Sequence, residues 1–194
     1  MRIVGDLREA GCWRVQIAAL TRYIAPMSST AASPNWLSFR SLGTLGGALL
    51  VCFGAAQLGS IATVPNLSPW YEGLAKPWFT PPNWAFPVAW TTLFALMAVS
   101  LWRVAMLARG AERRTALIAF SVQLTLNVAW SFAFFAARSP LLGLIDVVAL
   151  LAAILWTIVA FRPIDGLAAA LLCPYVLWVS YAAALNAAIL SLNG

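Results

Sequence analysis

Gln123, Asn127, Trp130 and Phe134 recur at i, i+4, i+7 and i+11, so one helical face carries two amides and two aromatic rings. Asp146 is the single acid in an otherwise uncharged apolar run, and Tyr175, Trp178, Ala182 and Asn186 share one side of a later run. A carboxyl at membrane depth is costly unless it faces a bundle interior or water, and it marks a functional position by default. Other chemistry is excluded. The chain has no histidine, which removes His-ligated zinc, His-ligated haem and any Ser-His or Cys-His dyad. Cys12, Cys52 and Cys173 are an odd number, far apart, and read as small apolar packing residues, not as a metal site or disulfide framework. No metal and no required cofactor follows from these residues. With one intramembrane acid and no paired base, hydrolysis is disfavoured.

The elements that must position these groups are transmembrane helices. Of 194 residues, 62% are apolar and only 9% charged, with a mean hydropathy of +0.85; soluble domains carry about a quarter charged residues. Charges bound five apolar runs, about 42–62, 84–107, 116–137, 140–161 and 167–190. Each holds roughly 21 to 24 residues, enough to cross a hydrocarbon core of about 30 Å. The expected fold is an all-α integral membrane bundle of five helices over 41–194, preceded by an extension over 1–40.

Loop charges orient the bundle, because basic residues near span ends stay in the cytoplasm. Arg103, Arg109, Arg113, Arg114 and Arg162 fall on one side, and only Lys76 and Arg138 on the other. The N-terminal side is therefore expected inside and the C-terminus outside, in a bacterial membrane first and an organellar one as the alternative. Topology accounts for the net charge of +6, so nucleic-acid binding is not needed to explain it. Residues 1–40 hold five arginines, two acids and a run of serines and threonines. They read as a disordered extension, a targeting peptide, or a stretch upstream of a translation start at Met27.

Between Thr63 and Asn83 lie five prolines with Trp70, Tyr71, Trp78 and Phe79. A solvated linker would be polar, whereas aromatics at this density need something to bury them. Two readings stand, an interfacial aromatic belt and a proline-stiffened lid over the outer mouth, and the backbone-fixing prolines favour the lid. Trp84 and Trp102 stand where belts form; Trp90, Trp130 and Trp178 lie deeper. Together with the amides and Asp146, they describe an outer-half cavity with aromatic walls. Such a cavity suits a flat, largely apolar ligand with few polar handles.

Three stretches give this pattern a family likeness: WYEGLAKPWFTPPNWAFPVAW (Trp70 to Trp90), QLTLNVAWS (Gln123 to Ser131) and PYVLWVSYAAALN (Pro174 to Asn186). In that order they resemble the TspO/MBR family, the tryptophan-rich sensory proteins of bacteria and the translocator proteins (peripheral benzodiazepine receptors) of mitochondria. The resemblance covers about residues 42–192. It implies five helices, a first loop over a ligand cavity and a homodimer. It also implies binding of porphyrins such as protoporphyrin IX, with sterols and isoquinoline carboxamides as further ligands, and a role in tetrapyrrole handling or stress sensing. Carried over by motif, Tyr71 reaches the ligand from the lid, Trp90 and Trp178 are its walls, Asn127 is a polar contact, and Ala182 leaves room. Light-dependent porphyrin breakdown, ascribed to some members, implicates Trp90 and Trp178. Mammalian members place a basic residue after an aromatic at the end of the fifth helix, whereas here no Lys or Arg follows Tyr181.

Three functional classes follow: a binding, transport or sensory protein; a photo-oxidative porphyrin-degrading protein; and a scaffold without its own ligand. For self-association, Ala129, Ala133 and Ala137 offer a small-residue seam on span three, with Gly43 and Gly47 on span one as a rival.

Overall fold

A computed structural model describes residues 35–194; the readings of the N-terminal extension and of Met27 fall on residues outside that range or at its edge. Helix α1 (Phe39–Thr63) opens on Ser38, whose hydroxyl accepts from the Ser41 N–H at 3.2 Å and so satisfies one of the free amides of the first turn. It runs into a 3-10 turn, Val64–Asn66, where Pro65 has no N–H to continue the ladder. Beyond it the chain is extended at Ser68 (φ −120°, ψ 138°), the conformation that a following proline imposes. Helix α2 (Ala85–Leu107) carries Pro87 in its first turn, where a missing N–H costs nothing.

A tight inner turn leads to α3 (Gly110–Ser131), with Gly110 at φ +55°, a value glycine adopts without strain. The helix begins ahead of the apolar stretch 116–137, because Arg113 and Arg114 occupy its first turns at the membrane surface instead of ending it. At its outer end α3 passes into a π turn, Phe132–Ala136, closed by the Ala137 N–H on the Phe132 carbonyl at 2.8 Å. Helix α4 (Pro140–Phe161) coincides with the expected fourth span. The fifth span is divided into α5 (Gly166–Ala170) and α6 (Cys173–Asn193), since Pro174 leaves one carbonyl of the preceding turn without its donor.

Packing of α1 against α2 and α3, α3 against α4, α4 against α6, and α2 against α5 and α6 closes a five-span ring. Five segments, 39–71, 85–107, 110–136, 140–161 and 166–193, are long and apolar enough to cross a membrane. Their outward faces expose Leu50, Ile61, Val88, Ile145, Val159 and Leu177, a contiguous apolar surface that water would not tolerate. The chain is an integral, multi-pass membrane protein.

The inner half of the ring is solid. Met97, Ala98, Phe120, Ile154, Phe161 and Leu172 are buried there, and Phe120 stacks on Phe161 (centroids 6.1 Å apart, 7° between planes). At the inner rim Arg103 pairs with Asp165 and lies over the Trp36 ring at 5.0 Å. Trp102 is more than a belt residue: its indole N–H reaches the Ser41 carbonyl at 3.0 Å and ties α2 to α1. Burial pushes the Asp165 carboxyl up, but the hydrogen bond and charge of Arg103 and the amides of Leu167 and Ala168 outweigh it. The carboxyl is held below the ordinary value of 3.8.

Candidate ligand cavity

The outer half of the ring is hollow. A cavity of about 850 Å³ lies between α1, α2, α3 and α6 beneath the 64–84 segment. Its aromatic walls come from all four helices: Phe53 on α1, Phe86, Trp90 and Phe94 on α2, Trp130, Phe134 and Phe135 from α3 and its π turn, and Trp178 on α6. Ring contacts fix their orientation. Trp90 meets Phe94 at 5.7 Å and Tyr175 at 6.3 Å, Phe86 meets Trp178 edge-on at 6.0 Å, and Trp130 stacks on Phe134 at 5.3 Å. Small residues, Ala55, Ala56, Gly59 and Ala182, supply the volume.

The 64–84 segment combines both readings of its aromatics. Trp70, Tyr71, Leu74 and Phe79 pack on Phe134, Phe135, Leu185 and Ile189 as a second small core. Trp78 and Trp84, 94% and 69% exposed, face outward as an interfacial belt would. The segment is tied down by hydrogen bonds from the Tyr181 hydroxyl to the Phe79 carbonyl (2.6 Å), between Asn193 and the Ala75 backbone (2.9 Å each way), and from Arg138 to Asn66 (3.2 Å).

Of the residues singled out by sequence, Tyr71, Trp90, Asn127, Trp130, Trp178 and Ala182 line this cavity together. Gln123, Asp146 and Tyr175 lie outside the lining. Gln123 stands one turn below Asn127, where the bundle has closed; it is 1% exposed, and neither end of its amide has a partner among the described residues. Tyr175 lies beneath Asn127, whose amide donates to the Tyr175 hydroxyl at 2.7 Å, and so it supports the cavity floor. Asp146 sits on α4, which the ring places behind α3 and α6; one of its carboxyl oxygens is buried without a partner.

Sequence periodicity missed Phe135. An α-helix turns adjacent residues too far apart for both Phe134 and Phe135 to point inward, but the π turn rotates less per residue and lets the pair straddle one face. Ser131 and Asn186 also reach the lining, as do Glu72 and Lys76 from the loop. The Asn186 amide donates to the Pro140 carbonyl at 2.7 Å. Ala129 and Ala133 remain on one half-buried helical stripe, while Ala137 lies past the helix, exposed at the cap of the π turn. Among the described residues no three Cys, Asp or Glu side chains converge as a metal site would require.

Comparison with known proteins agrees with this architecture. The family model for TspO/MBR matches residues 48–192. The chain is 40% identical over 153 residues to the tryptophan-rich protein TspO of Chlorobaculum tepidum, covering 77% of this chain and 96% of that one. It is 38% identical over 139 residues to protein CrtK of Rhodobacter capsulatus (71% and 87%) and 37% identical over 119 residues to the translocator protein of Sus scrofa (60% and 70%). A hollow five-span bundle under an aromatic first loop, matched over three quarters of its length, belongs to the TspO/MBR family.

Proposed function

We propose that the outer cavity binds a flat, largely apolar ligand of the porphyrin class, protoporphyrin IX being the representative, and that the protein serves tetrapyrrole handling or stress sensing. The observation that carries this reading is the cavity itself. Its volume of about 850 Å³ and its three tryptophan walls suit a broad planar ring, and Asn127 and Asn186 supply a small number of polar contacts. The loop over it excludes water from one side. Sterols and isoquinoline carboxamides are smaller apolar candidates for the same space.

Titration of the purified protein with protoporphyrin IX in the dark, followed by tryptophan fluorescence, tests the reading. Saturable quenching that weakens in Trp90→Phe and Trp178→Phe supports it. Non-saturating quenching, identical in all variants, means partition into detergent and sinks it. Because both tryptophans line the cavity, the same titration under light tests porphyrin breakdown: loss of the Soret band in the wild type but not in Trp178→Phe, with binding retained, would favour degradation over storage or sensing.

Homodimerisation is proposed through the α3 stripe of Ala129 and Ala133, flanked by exposed Ile118, Val122 and Phe132. Gly43 and Gly47 on α1 also face open space. Disulfide trapping of Ala133→Cys set against Gly47→Cys in proteoliposomes separates the two seams.

A further inference from the structure

Among the described residues, two formally charged side chains line the cavity, Glu72 and Lys76, both from the loop above it. They differ in setting. Glu72 is exposed, while Lys76 is half-buried. The Lys76 ammonium donates to the carbonyls of Glu72 (3.1 Å) and Leu74 (3.2 Å) and stands 4.6 Å over the Tyr71 ring. An ordinary surface lysine extends its head into water; this one is folded back onto the cavity rim. Its neighbours offer dipoles and a π face, and no carboxylate, that of Glu72 included, lies within ion-pair distance of it: among the described residues the sole ion pair is Arg103 with Asp165, at the opposite end of the bundle.

We infer that Lys76 is the anchor for an anionic group, so that the cavity selects flat apolar ligands bearing a carboxylate on one edge and holds that edge outward. This rests on the reading of the cavity as a ligand site. Two of the ammonium's three donors are engaged, and the third is available to a ligand oxygen. The placement fits the energetics of an amphiphile: a carboxylate is costly in the aromatic depth between Trp90, Trp130 and Trp178 and is tolerated at the rim, where loop and water meet. The anchor is also preorganised. Pro77 fixes the backbone on one side of Lys76, and on the other Asn193 grips Ala75 by both its N–H and its carbonyl.

The test compares protoporphyrin IX with its dimethyl ester, which keeps the ring and removes the charge, on the full-length protein in detergent. Wild type should bind the acid more tightly than the ester. Lys76→Met should weaken the acid by about tenfold, the scale of one charge-assisted contact, and leave the ester unchanged; Lys76→Arg should retain the preference. Glu72→Gln, which removes the nearby negative charge, should tighten the acid alone. Equal affinity for acid and ester in the wild type, or parallel weakening of both in Lys76→Met, would overturn the anchor while leaving the cavity reading intact. Saturable binding of neither compound would remove both.

Discussion

Asn193, in the last turn of α6, grips the backbone of Ala75 with both arms of its amide, accepting from the N–H and donating to the carbonyl at 2.9 Å each. The second amide hydrogen is shared with the Ile189 carbonyl of its own helix at 2.8 Å. The outer loop is thereby bolted to the far end of the chain. Each such hydrogen bond contributes about 1 kcal/mol, so Asn193→Leu, which removes both, should raise the open fraction of the loop by about thirtyfold. Hydrogen exchange at the Ala75 amide reads this directly, and protection equal to the wild type would refute it.

Gly143 sits where no side chain fits. A Cβ there would stand 2.8 Å from both Asn186 Oδ1 and Phe134 Cδ2, whereas one at Gly47 would meet nothing within 4 Å. Gly143→Ala should therefore cost about 1–3 kcal/mol through overpacking. Gly47→Ala should be neutral or mildly stabilising by its helix propensity. Thermal unfolding of the two variants in one detergent distinguishes them, and equal melting temperatures would contradict the close approach of α4 to α6.

Removal of the Tyr175 hydroxyl leaves the Asn127 amide without its acceptor. Tyr175→Phe should cost about 1–3 kcal/mol of stability even though the ring contact with Trp90 persists. The double variant Asn127→Leu, Tyr175→Phe should recover part of that loss, because no orphaned donor remains. Strict additivity in the double-mutant cycle would show that the two residues are not coupled.

The inner rim should be acid-sensitive. The folded-state carboxyl of Asp165 titrates below its unfolded value, so its contribution is fully present above the ordinary carboxylate range. It is lost as pH falls through the depressed folded value, below about pH 4. Melting temperature followed from neutral pH into that range should fall more steeply in the wild type than in Asp165→Asn. Parallel curves would rule out the Arg103 pair as the source.

Much of this arrangement is legible in the residues alone. The five spans follow from charge-free runs, and α4 coincides with its run because Ser139-Pro140 and Arg162 punctuate it sharply. The face of Gln123, Asn127 and Trp130 follows from helical periodicity. What periodicity cannot carry is the phase slip of the π turn, which recruits Phe135, or the order of helices around the ring, which sets Asp146 behind the cavity. Gln123 shares Asn127's face yet sits below the floor, because depth is decided by where Met97, Phe120 and Leu124 fill the bundle. Lys76 reads in the sequence as a topology charge, and only the folded loop turns it toward the cavity.

The solid inner half closes the floor of the cavity. Below Asn127 and Phe94, the Phe120–Phe161 stack, Met97 and the Arg103–Asp165 closure form a stopper that spans the remaining thickness. On its other side the cavity is covered by the loop, held by hydrogen bonds from Tyr181, Asn193 and Arg138 and by its own small aromatic core. The cavity is thus shaped as a vessel, closed by packing at its floor and by a loop at its mouth.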